Sequence, residues 1–360
     1  MPAVSSTHLQ TAPPDAQAEA ITRLRQTLGE RLVIMAHHYQ HNEVVRHADI
    51  TGDSLELARR VPDLGAAHIV FCGVYFMAET AAILAAPGQT VHLPDLEADC
   101  IMAAMAPASR VAAVLAHLAS GGRRVVPLAY VNSSAAVKAV VGRHGGAVCT
   151  SANAETMMRW ALKQGDAVLF LPDRNLAWNT ADQLGLPDGE RLVLDVRGDG
   201  RRLDPAAARR VRLFAWPGMC AIHHRMKPAH VVQARAAEPQ ALVVVHPECR
   251  PEVVALADAS GSTRGIIDYC RRAPEGAVIY VGTEIRLVRR LAAHHAPSKR
   301  ILPLLESACE NMGKIDAAKL LACLKRLDGP YAVKVGPEEA APARLAVERM
   351  LEVCAGQAPA

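Results

Sequence analysis

Three short apolar runs along the chain each close on two polar residues spaced i, i+2. RLVIMAHHY ends in His37 and Tyr39, VVPLAYVN in Tyr130 and Asn132, and ALVVVHPE in His246 and Glu248. Short runs rich in Val, Leu and Ile read as buried strands, and in a strand residues i and i+2 share a face. After each run comes a stretch with helical spacing (EVVRHADI, SAAVKAVV, PEVVALADA), then a small-polar turn: TGDS closing at Ser54, CTS at Ser151, SGST at Thr263. A second helix and a second strand follow, the strands being HIVFCG, AVLFLPD and AVIYVG. Strands alternating with helices in this way predict βαβ units and parallel sheets.

The pattern is a repeat. ADITGDSLELARRV at 48–61 aligns by eye with ADASGSTRGIIDYC at 257–270, and the middle copy is looser. The expected fold class is therefore α/β, with three homologous αβα domains, each on a parallel sheet, around a pseudo-threefold axis. The expected divisions are 20–110, 111–225 and 226–312, with C-terminal helices over 313–355 as candidates to complete the first. Residues 1–19, rich in Ala, Pro and Ser, and the closing AGQAPA read as frayed tails.

Nine cysteines, an odd number in a chain whose first residues carry neither a basic stretch nor an apolar one, argue for buried thiols plus a metal site. A disulfide framework is not expected, and a cytoplasmic location is. One cysteine trails each repeat: Cys100 and Cys309 follow Gly73 and Gly282 at the same distance, and Cys220 follows the second repeat after a longer insertion. Cys72, Cys149, Cys249, Cys270, Cys323 and Cys354 do not share that place and read as small buried hydrophobes. A threefold arrangement would bring the trailing three together as a tripod. Three thiolates hold either a zinc ion with an open fourth position or a 4Fe-4S cluster with one iron free of protein ligands, and the spacing alone does not choose. Either would offer substrate a Lewis acid.

Composition narrows the partners. With 51% hydrophobic and 21% charged residues the chain is not disordered. Its 6 Tyr, 4 Phe and 3 Trp leave an aliphatic core and no stacking platform for single-stranded nucleic acid. A net charge of +4 is too small to argue for nucleic acid and suits a small anionic ligand. The best apolar run, Ile69 to Ala78, is too short for a membrane span. Ser54, Ser151, Ser262 and Thr263 precede helices, where hydroxyls serve as ordinary caps or, with free amides, as anion sites.

The motifs MAHHYQHNEVVRHADITGDSLELAR, VFCGVYFMAETAAIL, LPDLEADC, AYVNSSAAVKA, CTSANA, FLPDRNL, HPEC, GSTRGII, VGTEIRLVRRL and CENM occur in this order. From about residue 30 to 320 the chain resembles the quinolinate synthase family. The resemblance implies a triangular arrangement of three αβα domains around a 4Fe-4S cluster held by Cys100, Cys220 and Cys309. It implies condensation of iminoaspartate with dihydroxyacetone phosphate to quinolinate, with loss of phosphate and two waters, in NAD biosynthesis. Transient contact with an iminoaspartate-producing enzyme goes with that reading. The matching substrate residues are His37, Tyr39, Ser54, Tyr130, Asn132, Ser151, His223, His246, Glu248, Ser262 and Thr263. Of these, Glu248, with Tyr39, His246 and His37, would move protons, and a partly dry site is expected to raise the Glu248 pKa toward working pH. The chain departs from the family pattern at Pro303 and Glu306, where some members carry cysteines, and at His38 and His224. Two other readings are a zinc enzyme with three cysteine ligands and a non-catalytic iron-sulfur redox sensor. The sensor reading lacks a basic recognition helix or an acidic tail.

Overall fold

The computed structural model describes residues 14–198 and 205–355. Its strands form three sheets. The first holds β1 (Leu32–His37), β2 (Ile50–Gly52), β3 (His68–Cys72) and β4 (Thr90–His92) in the order β2-β1-β3-β4. The second holds β5 (Val125–Tyr130), β6 (Ala147–Cys149), β7 (Ala167–Leu171), β8 (Arg191–Val193) and β9 (Leu213–Ala215), ordered β6-β5-β7-β9-β8. In the third, β10 (Leu242–Val245), β11 (Ala259–Ser260), β12 (Val278–Gly282) and β13 (Arg300–Pro303) run β11-β10-β12-β13. Every strand pairing is parallel. The α/β class and the repeated parallel sheets expected from the pattern are thus present.

Continuous apolar runs rather than alternating ones are what helices on both faces of a sheet require. All five residues of β7 are buried, as are all but the second residue of β1 and all but the first of β5. The first strand of each repeat lies between its two neighbours, so β1, β5 and β10 end at the centre of the carboxyl edge of their sheets. Open α/β sheets build their sites at that edge.

Three expectations need correction. The helical stretch after β1 stops at Val45, and Ile50–Gly52, within the expected helix and turn, is a strand paired to β1. Equivalent short strands appear at Ala147–Cys149 and Ala259–Ser260, and each sheet gains a further strand after its third. Segments of two to four residues are too short to display a period, so tertiary pairing alone assigns them. The tail reading of residues 1–19 fails from Pro14 onward, where a helix runs to Leu28. Residues 1–13 and 356–360 lie outside the described residues. The looser middle copy has a structural cause: its insertion supplies β8, the edge strand that neither other sheet has.

Two C-terminal helices close the molecule. Ala317–Leu324 packs on the helix Pro14–Leu28 and on β3, and Pro337–Val353 packs on the helix Ala135–Arg143 and β6. The second contact is backbone-close: a Cβ on Gly142 would come within 1.8 Å of the Pro342 carbonyl oxygen. No helix among the described residues is long and apolar enough to cross a membrane.

Candidate active site

A cavity of about 310 Å³ lies where the three sheets present their carboxyl edges. Its lining includes His37, the last residue of β1, with Tyr39 in the turn after it, Tyr130, the last residue of β5, with Asn132 beyond it, and His246 and Glu248 beyond β10. Ser54, Ser151 and Thr263 from the three small-polar turns line it too, with His223 and the three trailing cysteines, Cys100, Cys220 and Cys309. Ser262 alone of the expected residues is not among the lining. Its Oγ accepts the Gly265 amide at 3.2 Å and caps the helix Thr263–Arg272, and it faces a second cavity of about 300 Å³. The neighbouring turns differ: Asp53, not Ser54, caps the helix Ser54–Arg60, which leaves the Ser54 hydroxyl to the cavity.

The i, i+2 spacing has a local consequence for the histidines. The Tyr39 amide donates to His37 Nδ1 at 3.1 Å, and the Glu248 amide donates to His246 Nδ1 at 3.3 Å. An Nδ1 that accepts leaves the proton of a neutral ring on Nε2. Burial reinforces neutrality: it drives His37 well below the ordinary value, helped by the facing His38, His246 and Arg290, and with His223 it takes His246 down to about 3.

The other polar groups form one hydrogen-bonded chain through all three repeats. Thr263 Oγ1 donates to Tyr39 Oη at 3.1 Å, Tyr39 Oη lies 2.7 Å from Thr283 Oγ1, and Thr283 Oγ1 lies 3.2 Å from His223 Nε2. His223 Nδ1 is 2.8 Å from Glu248 Oε2, and Tyr130 Oη donates to Oε1 of the same carboxylate. One proton assignment satisfies every link: each hydroxyl donates to the next, Thr283 donates to His223 Nε2, and His223 Nδ1–H donates to Glu248. The stacked ring of His246, 4.3 Å from that of His223, packs against this link.

Glu248 therefore differs from expectation. Burial does push its pKa up, but the facing histidines and the hydrogen bonds from His223 and Tyr130 more than reverse this, to about 2. The charge of the adjacent His223 is the largest of the lowering causes, followed by His246 and then the two hydrogen bonds. Glu248 is an ionised acceptor, not a carboxyl poised near neutrality. Its presence drives Asp173 the other way: burial, then the Glu248 charge, pushes that carboxyl well above the usual range.

Each trailing cysteine stands at the start of a helical turn. Cys100 and Cys220 occupy the N-cap positions of Ile101–Ala104 and Ala221–His224 without a side-chain cap bond, and Cys309 precedes the turn Met312–Lys314. The nearby amides of those turns, Ala103 and Met102 for Cys100, His223 for Cys220, and Met312 and Asn311 for Cys309, favour the thiolate but are outweighed. Although each residue keeps some exposed surface, burial of the surroundings pushes all three thiols up, Cys100 to about 12. Their thiolates need a compensating cation, which a bound metal centre supplies. By contrast Cys72, Cys149, Cys249, Cys270, Cys323 and Cys354 are all buried and all nine thiols are free.

Three cysteines facing one cavity can hold a metal centre. Three thiolates on one tetrahedral zinc, with Zn–S near 2.3 Å, stand roughly 3.8 Å apart. Among the described residues the compact group whose ligand atoms all lie within 4.8 Å of one another is Cys220, His223 and Glu248, and the three cysteines do not form such a group.

Sequence reasoning missed Thr283, Asp53, Asp173 and Glu284, all buried. Thr283 links Tyr39 to His223, so the chain of hydrogen bonds depends on it. The signal was present in FLPD and VGTE: Asp173 and Glu284 stand two residues past the ends of β7 and β12.

Fold and site together define an α/β protein with three repeated parallel sheets and a polar cavity at their carboxyl edges. Residues 19–352 match the family model described as quinolinate synthetase A protein. The chain is 42% identical over 360 residues to the quinolinate synthase of Acidobacterium capsulatum, a match covering 98% of this chain and 96% of the relative. It is 44% identical over 359 residues to that of a Nocardioides species (94% and 90% covered) and 43% over 352 residues to that of Staphylococcus carnosus (92% of each). The chain belongs to the quinolinate synthetase A family, whose members are enzymes of NAD biosynthesis. The non-catalytic sensor reading is overturned by that membership.

Proposed function

We propose that the chain condenses iminoaspartate with dihydroxyacetone phosphate to quinolinate, releasing phosphate and two waters, with Cys100, Cys220 and Cys309 holding a 4Fe-4S cluster. The observation that carries this reading is that one cysteine from each repeat reaches the same cavity as the Tyr130–Glu248–His223 hydrogen bonds. The cluster, when bound, would supply a Lewis-acidic iron free of protein ligands.

This chain's own residues do the rest. The two substrates carry carboxylates and a phosphate. Ser54, Ser151 and Asn132 offer hydroxyl and amide groups in the cavity, where the buried Asn132 Oδ1 has no protein partner, and Arg225 adds a positive charge. Enolisation, imine formation and dehydration each need a proton taken up and returned. Glu248 holds its charge and orients His223 and Tyr130 toward it. The link through Thr283 to Tyr39 lets a proton move along donors already aligned, and His37 and His246 stand by as neutral rings. Ser262 serves the site through its helix rather than by lining the cavity.

The division at 110 and 225 into three αβα domains belongs to this reading, supported by one sheet lying within each stretch. So do a cytoplasmic location, supported by nine free thiols of the kind a reducing compartment preserves, and hand-over from an iminoaspartate-producing enzyme. An unconjugated imine hydrolyses in water, which favours close supply.

A second reading has its own support. Cys220, His223 and Glu248 are close enough together to ligate one zinc, although the His223–Glu248 hydrogen bond would have to break. One anaerobic experiment separates them. The iron-reconstituted chain should contain about four irons, be brown, and form quinolinate from the two substrates. A colourless active chain with one zinc would overturn the cluster, and a four-iron chain that makes no quinolinate would overturn the reaction.

A further inference from the structure

The three cysteine legs are attached to their repeats by a shared bond and, in two of them, by an extra one. In each repeat the amide that opens the helix after the third strand donates to the carbonyl two residues before the trailing cysteine. Tyr75 binds Ala98 at 2.8 Å, Arg174 binds Gly218 at 2.9 Å, and Ile285 binds Ser307 at 3.0 Å. The residue just before that helix opening decides what happens next. In the second repeat it is Asp173, fully buried, which accepts the Leu176 amide with Oδ1 at 2.8 Å and the Cys220 amide with Oδ2 at 3.0 Å. In the third it is Glu284, also fully buried, which accepts the Arg286 amide with Oε2 at 2.7 Å and the Cys309 amide with Oε1 at 3.2 Å. In the first it is Val74, which caps nothing with its side chain. The Cys100 amide turns to the adjacent Asp99, exposed itself, between the exposed Leu96 and Ile101.

We propose that Asp173 and Glu284 are positioning residues that anchor two legs of the cysteine tripod to the core, and that the Cys100 leg is the loose one. The inference rests on the reading that these three cysteines hold the metal centre. The carboxyl group spans the two amides because each of its oxygens accepts one; a carboxamide accepts with one atom and confronts the other amide with its own N–H groups. Groups that orient metal ligands in this manner typically influence metal affinity 10- to 100-fold.

The wild-type, full-length, metal-free chain gives the first test. Residue-resolved amide exchange under anaerobic conditions should show the Cys220 and Cys309 amides exchanging at least about tenfold more slowly than that of Cys100, as a bond to a fully buried carboxyl rather than to the exposed Asp99 requires. Asp173→Asn should then accelerate alkylation of Cys220 alone, and Glu284→Gln that of Cys309 alone. Both loaded variants should release iron to a chelator about 10- to 100-fold faster. Asp316→Ala, which removes the cap of Ala317–Leu324 away from the cysteines, should lower the melting temperature without moving any of these rates. Equal exchange at the three cysteines in the wild type overturns the proposal, whether or not a variant folds, and so does equal acceleration of all three thiols. A wild-type chain that binds no iron would overturn the cluster reading, while the amide and thiol rates would still judge the anchors.

Discussion

The two sets of side chains around the cavity are built on opposite terms. Tyr39, Tyr130, His223, His246 and Glu248 are each at most 8% exposed, and hydrogen bonds within the protein already hold them: the carboxylate has its donors, the rings their tautomers, the hydroxyls their order. Cys100, Cys220 and Cys309 keep partial exposure, and burial around them favours the protonated thiol, a form of little use as a ligand. The first set is complete without anything bound; the second is completed by a cation. Proton transfer needs groups aligned beforehand, since realignment would add to the barrier, whereas a metal centre supplies its own organising charge on arrival.

Cysteine replacement breaks the comparison most sharply. Ala at Cys100, Cys220 or Cys309 should remove most of the iron and the activity, while Ser at any one of Cys72, Cys149, Cys249, Cys270, Cys323 or Cys354 should leave both in place. Iron analysis and visible absorbance on anaerobic samples check this, and a folded chain that loses its chromophore through one of the six would remove the distinction between the sets.

Next in size is Glu248→Gln. Turnover should fall about 10²- to 10⁴-fold with iron content unchanged, because the amide neither carries the charge nor accepts from both His223 and Tyr130. Single-turnover quinolinate formation measures it. A cluster-loaded variant at wild-type rate would move the proton chemistry to Tyr39 or a histidine.

The pre-formed set should also set the acid limit of stability. Folded His246 takes up a proton only near pH 3, while its unfolded counterpart does so near 6.5, so below 6.5 the unfolded chain binds more protons and stability falls. His37, also lowered, adds to the loss in the same direction. Glu248, held at about 2 against an ordinary 4.5, contributes stability above pH 4.5 that is lost as the pH drops through that window toward 2. Melting temperature should therefore decline from pH 7 to 4, and His246→Asn should flatten the upper part of the decline. An unchanged slope in that variant would mean that other groups carry the linkage.

The smallest effect separates the turns. Ser262→Ala should cost about 1 kcal/mol of stability as a lost helix cap, with the half-saturating triose-phosphate concentration unmoved, while Ser54→Ala should raise that concentration with little change in stability. The reverse result would place Ser262 at the substrate.

Much of this site was legible in the chain itself. Apolar runs long enough to show a pattern identified β1, β5 and β10, and the polar pairs that close them do line one cavity, although Tyr39, His246 and Glu248 lie in turns past the strand ends, where period two no longer sets direction. Repetition then singled out three cysteines of nine, because a residue recurring at one place in each copy is not there by composition. The short strands β2, β6 and β11 were illegible, since two or three residues carry no period, and so was the helix from Pro14, whose early residues are those of a tail. Thr283, Asp173 and Glu284 escaped for another reason. A threonine or a capping carboxylate is ordinary at a helix start, and only the partners across the cavity make it part of a site.

What the sequence determined by itself was which residue types recur at which interval: strand periods, the repeat, and the thiols and polar pairs that terminate each unit. These are properties of neighbours along the chain, where spacing of a few residues dictates direction. The tertiary structure alone decided the charge state of Glu248. Its burial argued for a raised pKa, and the sign was reversed by Tyr130, 118 residues before it, and His223, 25 residues before it. A pKa reports the balance between lost hydration and local donors, and donors brought in by folding from other repeats have no signature in the residues beside the carboxylate.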